Sequence, residues 1–387
     1  MIRASLLALA AGLGGINDEP ADSLLASIRY LSGSDAQGRA TGTEGGLAAS
    51  AFVAERFAAI GLEPLGDEPG SYYRRVPGES EIPSRSVAGR VVGTAGTELS
   101  VLVTAHLDHL GEREGVLFPG ANTNASGIAV MIEVARRIAA DPAGASVIFV
   151  ALDSEELARR GSVHFLESAP APPGSLSAIV SFESVGRGYL GALPNLLLAL
   201  DAGGHPVTGP AVSAAAEGSK LRILRASRDL LGPPLGTEPF RVLSAPQIVV
   251  TGGPHPLSYT PSDTIVTIDG ERLVRVTEFG ARLVRVLASQ RTTGTEPLAG
   301  PVEARTIDPR AEWERELGDL HRLADWLEES LSKSEISPPR RAQIERIVRE
   351  LRVVSSDPKR APDRAAVVER LRTVLHTGRL PGGGEDR

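Results

Sequence analysis

Apolar positions along this chain follow two different periods. Between residues 87 and 252, short β-branched runs recur: VAGRVVG (87–93), LSVLVTA (99–105), SVIFVAL (146–152), SAIVSFE (177–183), NLLLALDA (195–202) and PQIVVTG (246–252). These are nearly continuous apolar runs rather than alternating ones, which predicts strands buried on both faces. Between and around them the apolar spacing changes to three or four residues. Helices are predicted at about 21–32, 44–61, 126–140, 156–168, 209–219 and 270–289. Strands alternating with helices predict an α/β domain, a mostly parallel or mixed sheet with helices on both faces.

From about residue 305 the strand pattern stops. Trp313, Leu317, Leu320, Ala324, Leu327 and Leu331 mark one face of a helix that Asp308-Pro309 would start. Ser337-Pro338 opens a second helix with Ile344, Ile347, Val348 and Leu351. Val367, Val368, Leu371, Val374 and Leu375 mark a third. The expected organisation is an α/β domain at 21–295, an all-α appendage at 305–380 and a Gly-rich disordered tail at 381–387. The appendage is read as packing on the main domain, with self-association or partner binding as the other reading. Residues 1–20 read either as a short secretory signal or as an N-terminal helix. The first reading predicts a secreted or periplasmic protein, the second a cytoplasmic one.

Composition narrows the function. The 387 residues hold 41 Lys plus Arg against 48 Asp plus Glu, net −7, which disfavours nucleic acid as a partner. There is no cysteine, so disulfides and thiolate metal sites are excluded. No stretch is apolar for the ~20 residues of a membrane span.

In buried parallel sheets, functional groups gather at the carboxyl ends of strands. Here His106 and Asp108 follow one strand, and Asp153, Glu155 and Glu156 another. Glu183 ends a third, and His255 and Tyr259 follow a fourth. Between the first two lies the loop PGANTNASG (119–127). Ser126 in that loop reads as a helix N-cap rather than as a nucleophile, since no histidine adjoins it.

The ordered succession carries more than any one motif. GRATGTEG, HLD, GANTNASG, DSEE, SFESVGR and HPLSYTPSDT occur in order over about residues 21–290. This succession resembles the zinc aminopeptidases of metallopeptidase family 28, relatives of bacterial leucyl aminopeptidase, glutaminyl cyclase and the transferrin receptor. The resemblance implies a zinc-exopeptidase-like fold, two zinc ions and a glutamate general base. It places His106, Glu156 and Glu183 at metal-ligand positions, Glu155 at the base and Asp108 where it orients His106. It also places Thr123 where the bridging aspartate stands and Tyr259 where the last histidine ligand stands. Both of those ligands are therefore lost.

A threonine hydroxyl brings no charge to hold two dications together, and a neutral phenol is a poor zinc ligand. The expectation is a family member without di-zinc aminopeptidase activity, with no cofactor and with a cleft kept for a peptide or protein ligand or for scaffolding. The alternative is an aminopeptidase or glutaminyl-cyclase-like enzyme with one zinc. His106 and Glu183 would hold that ion, helped by Glu156 or by His255 as a substitute ligand.

Overall fold

The computed structural model of the chain describes residues 20–78, 80–168, 175–188, 193–202, 207–227, 238–243, 245–253, 255–289, 309–333 and 336–355. The expected N-terminal segment, the third C-terminal helix and the tail lie outside them.

The strands are β1 (Glu63–Pro64), β2 (Tyr73–Val76), β3 (Ser84–Val91), β4 (Ser100–His106), β5 (Gly111–Arg113) and β6 (Val116–Phe118), followed by β7 (Ser146–Leu152), β8 (Leu176–Glu183), β9 (Leu196–Leu200), β10 (Arg222–Ala226) and β11 (Gln247–Thr251). The helices are α1 (Pro20–Leu31), α2 (Glu44–Ile60), α3 (Ser126–Ala140), α4 (Arg160–Glu167), α5 (Thr208–Ala216), α6 (Gly270–Ser289), α7 (Pro309–Lys333) and α8 (Pro338–Ser355).

Nine strands form one sheet, in the order β1-β3-β7-β4-β8-β11-β9-β10, with β2 also paired to β3. The centre is parallel: β7 with β4, β4 with β8, and β8 with β11. Toward the edges β3 joins β7 and β9 joins β11 antiparallel. The sheet is therefore mixed, as its run of apolar strands predicts. The separate hairpin of β5 and β6 and the edge strands β1, β2 and β10 are additions to the pattern read from the sequence.

Alternation along each strand feeds two layers. Val101, Val103 and Ala105 of β4 join the core beneath α1, α2, α3 and α6. Leu102 points the other way, into a cluster with Phe165 of α4 and Phe240. On β9, Leu197 and Ala199 join the first core, while Leu196, Leu198 and Leu200 face α7 and α8. The two C-terminal helices thus cover the second face at β9, β10 and β11. No helix among the described residues is long and apolar enough to cross a membrane.

Parallel registration brings the functional ends together. His106 at the end of β4 pairs with Leu152 at the end of β7, and Glu183 at the end of β8 pairs with Thr251 of β11. The acidic residues after β7 therefore rise beside His106 and Glu183.

Candidate functional site

The floor of the site is His106, 1% exposed at the tip of β4. Its Nδ1 lies 3.0 Å from the backbone carbonyl of Asp108, and its Nε2 lies 3.3 Å from Glu183 Oε2. Burial alone would discharge the ring. Glu183, aided by Glu156 and Asp108, outweighs burial and raises the His106 pKa to about 10.

Asp108, expected to orient His106, meets the ring through its backbone carbonyl. The carbonyl holds the imidazole. The carboxylate instead accepts the backbone N–H groups of Glu155 and Glu156, at 3.0 and 2.9 Å. It also meets the Thr41 hydroxyl at 3.1 Å, which touches Asp153 at the same distance. The single hydroxyl hydrogen is shared between the two acids. Burial, and then the Asp153 charge, push the Asp108 pKa up to about 7.

Glu155 does not turn into the cleft. Its carboxylate accepts the Ser162 N–H at 2.6 Å and the Ser162 hydroxyl at 3.1 Å, in the first turn of α4. The turn needs a glycine, since a Cβ on Gly161 would lie 1.9 Å from the Asp153 carbonyl oxygen and 2.9 Å from Glu155 Oε1. Burial first, and then Asp108, raise the Glu155 pKa to about 8. A general base has to start ionised, and the site as it stands disfavours that form of Glu155.

Glu156 leans into the cleft and lies 3.4 Å from Nδ1 of His109, a histidine the motif reading passed over. Burial opposes ionisation of Glu156, but the His109 hydrogen bond and the His106 charge hold its pKa below the usual value. His109 is 2% exposed, and burial lowers its pKa. Its ring centroid is 5.5 Å from that of Tyr259.

Tyr259 is 40% exposed and adopts a left-handed backbone, φ 61°. Burial of its inner end, and then Glu156 and Glu183, raise its pKa, so the phenol stays neutral. His255 Nδ1 accepts the Leu257 N–H at 3.2 Å, within its own loop.

The loop between β6 and α3 is held by two buried charges. Arg39, fully buried, donates to the carbonyls of Leu107 (2.8 Å), Pro119 (2.8 Å), Gly120 (3.0 Å) and Leu31. Asp263, also fully buried, accepts the N–H groups of Asn122 (2.8 Å) and Thr123 (3.1 Å), and Arg187 Nη2 (2.8 Å). A cation thus grips the loop's carbonyls and an anion its amides. Gly120 completes the turn at φ 59°, where a Cβ would lie 2.4 Å from the His109 ring.

The neutral residues in the loop have structural partners. Asn122 Oδ1 accepts Gly186 N–H at 2.9 Å. Asn124 donates to the Phe182 carbonyl at 2.8 Å and accepts Ser184 N–H at 2.9 Å. The Ser184 hydroxyl donates to Thr123 Oγ1 at 3.3 Å. Ser126 is not the helix N-cap: it sits inside α3, and Asn124 Oδ1 accepts the Gly127 N–H at 3.2 Å. Ser126 instead donates to the Asn122 carbonyl and accepts Val185 N–H.

Asp263 is the most exacting of these posts. Asp263→Ala would leave Arg187 buried without its anion and two loop amides without acceptors. Breaking a buried pair from one side costs about 3–5 kcal/mol. Denaturant unfolding is expected to show a loss of that order, and an unchanged midpoint would refute the clamp.

The donor set can be compared with what two zinc ions require. Each ion takes about four ligands, and a pair needs an anionic bridge. The resemblance puts Thr123 at the bridge position and Tyr259 at the last imidazole position, and neither side chain is an anion or an imidazole. The remaining donors sit in twos, His106 with Glu183 and His109 with Glu156. Among the described residues, no three His, Asp or Glu side chains converge to hold an ion. The residues present do not fit a di-zinc centre.

Comparison with known proteins places these features. Residues 86–217 match the sequence profile of peptidase family M28. Aminopeptidase YwaD of Bacillus subtilis (strain 168) is 40% identical over 67 residues, a stretch covering 17% of this chain and 14% of that protein. Among solved structures, a zinc aminopeptidase from Bacillus subtilis superposes with TM-score 0.57 at 15% identity, covering 70% of this chain and 96% of that one. The Legionella pneumophila LapA aminopeptidase gives TM-score 0.56 at 16% identity, covering 70% of this chain and 72% of that one. A glutaminyl cyclase from Bacteroides thetaiotaomicron, bound to N-acetylhistamine, gives 0.54 at 17%, covering 68% and 97%. At these identities the superpositions establish the fold alone.

Proposed function

Residues 86–217 belong to peptidase family M28 and the chain around them has the fold of its aminopeptidases, and from this we propose that the protein is a member that has lost di-zinc peptidase chemistry and keeps the cleft to bind a peptide or protein ligand. The observation that carries the reading is the chemistry at two ligand positions. By the resemblance Thr123 stands at the bridge, and its hydroxyl is engaged by Ser184; Tyr259 stands at the last ligand position, and its ring lies against His109. Neither offers an anion or an imidazole to a metal.

The Glu155 carboxylate supports the same reading. It accepts two hydrogen bonds from Ser162 at the start of α4. In a working peptidase of this kind the base contributes about 10²–10⁴-fold. Hydrolysis of aminoacyl arylamides in excess zinc should therefore be indistinguishable between the wild type and Glu155→Gln. Turnover by the wild type that drops at least a hundredfold in the variant would overturn the proposal.

A further inference from the structure

His109 belongs to no motif in the sequence reading, yet it lies against two residues of the former metal centre. Its Nδ1 is 3.4 Å from Glu156 Oε1, and its ring faces Tyr259. Across the cleft His106 Nε2 is 3.3 Å from Glu183 Oε2. The family resemblance puts Glu156 at one metal position, and His106 with Glu183 at the other. Each position thus ends in one imidazole and one carboxylate within ion-pair distance, while Nε2 of either histidine makes no aligned hydrogen bond to a described residue.

A buried carboxylate that loses its cation needs another polar partner, or it destabilises the fold. Thr123 and Tyr259 removed ligands, and those changes alone would leave Glu156 unmatched. His109 supplies the match, 2% exposed beneath the half-exposed Tyr259 ring. The backbone allows this because Gly120 leaves room for the imidazole.

We propose that the pairs His106–Glu183 and His109–Glu156 stand in the places of the family's two ions, so that the cleft holds its shape through contacts within the chain. This rests on the metal-free reading above and adds that His109 closes the second place. The same separations also suit a metal, since two ligands about 2.1 Å from one tetrahedral ion lie about 3.4 Å apart. The test must therefore separate direct pairing from ligation.

The experiment is a double-mutant cycle with His109→Leu, Glu156→Leu and the double variant, melted in chelator and again with zinc. Removing one partner strands the other in a buried site, whereas replacing both with apolar groups strands neither. Each single variant should lower Tm by several degrees, and the double should lose no more than the worse single. Zinc should leave the wild-type Tm unchanged. If a single variant fails to fold, a folded double variant supports the pairing and an unfolded one overturns it. Additive losses, or no loss, in zinc-free protein overturn the pairing but leave the metal-free reading intact. A zinc-dependent rise in the wild-type Tm that His109→Leu abolishes makes His109 a ligand and overturns both.

Discussion

Ending the chain at residue 304 is expected to leave the α/β domain insoluble. Without α7 and α8, Leu196, Leu198 and Leu200 of β9, Leu224 of β10 and Val249 of β11 lose their cover. The helices contribute Leu317, Leu320, Leu323, Ala324, Leu327, Ile344, Ile347, Val348 and Leu351 to the same cluster. Full burial of one such large side chain stabilises by about 1.5–3 kcal/mol. The sum over this layer rivals the ~5–15 kcal/mol net stability of a typical domain. The uncovered strands would also form a contiguous apolar patch beside the edge strand β10, an invitation to association.

Soluble yield and light scattering of the truncated and full-length chains measure this. A monomeric truncated protein with an unchanged Tm would show that α7 and α8 are dispensable. Leu320→Asp offers a milder version at the centre of the interface, since Leu320 is 2% exposed. It should lower Tm strongly without shortening the chain.

The second large effect is a gain. Thr123→Asp combined with Tyr259→His is expected to raise the zinc that the protein retains after dialysis well above the wild-type level. The first change restores an anion at the bridge, and the second restores an imidazole facing Glu156. The loop is already in place for both, because Arg39 and Asp263 hold its backbone independently of the Thr123 side chain. Neither single change supplies both the charge and the fourth-ligand chemistry, so each alone should take up much less. Elemental analysis after zinc loading and dialysis reads the result. No uptake by the double variant would mean that more than these two positions separates the cleft from a metal centre.

Much of this arrangement was legible in the sequence. The apolar runs fix the central strands because β4, β7 and β8 are buried on both faces, and such strands admit almost no polar residue. The edges were harder. β10 reads RILRA, with charged residues that an edge strand tolerates, and β1 and β2 lie in a Pro/Gly-rich stretch that resembles a loop. Their strand character comes from pairing with β9 and β3, which local sequence does not encode. The stripes of α7 and α8 were visible, but not the strands that they cover.

At the candidate site, motif order singled out His106, Glu156, Glu183, Thr123 and Tyr259, because each stands at a strand end or in a punctuated loop. Side-chain direction was not legible. Glu155 turning to Ser162, and Asp108 turning to two amides, depend on how α4 begins. His109 was missed because it follows the His-x-Asp motif by one residue and shows no periodicity. The one available signal was a second histidine within HLDHLG. Asp263 stood inside a recognised motif, and its partners emerged only once the loop amides were placed against it.

The central claim is that Thr123 and Tyr259 have ended metal binding in this cleft. Elemental analysis of the wild-type protein, loaded with excess zinc and dialysed against metal-free buffer, tests it most directly. The account predicts far less than one zinc per chain. Two tightly held zinc ions per chain would contradict it.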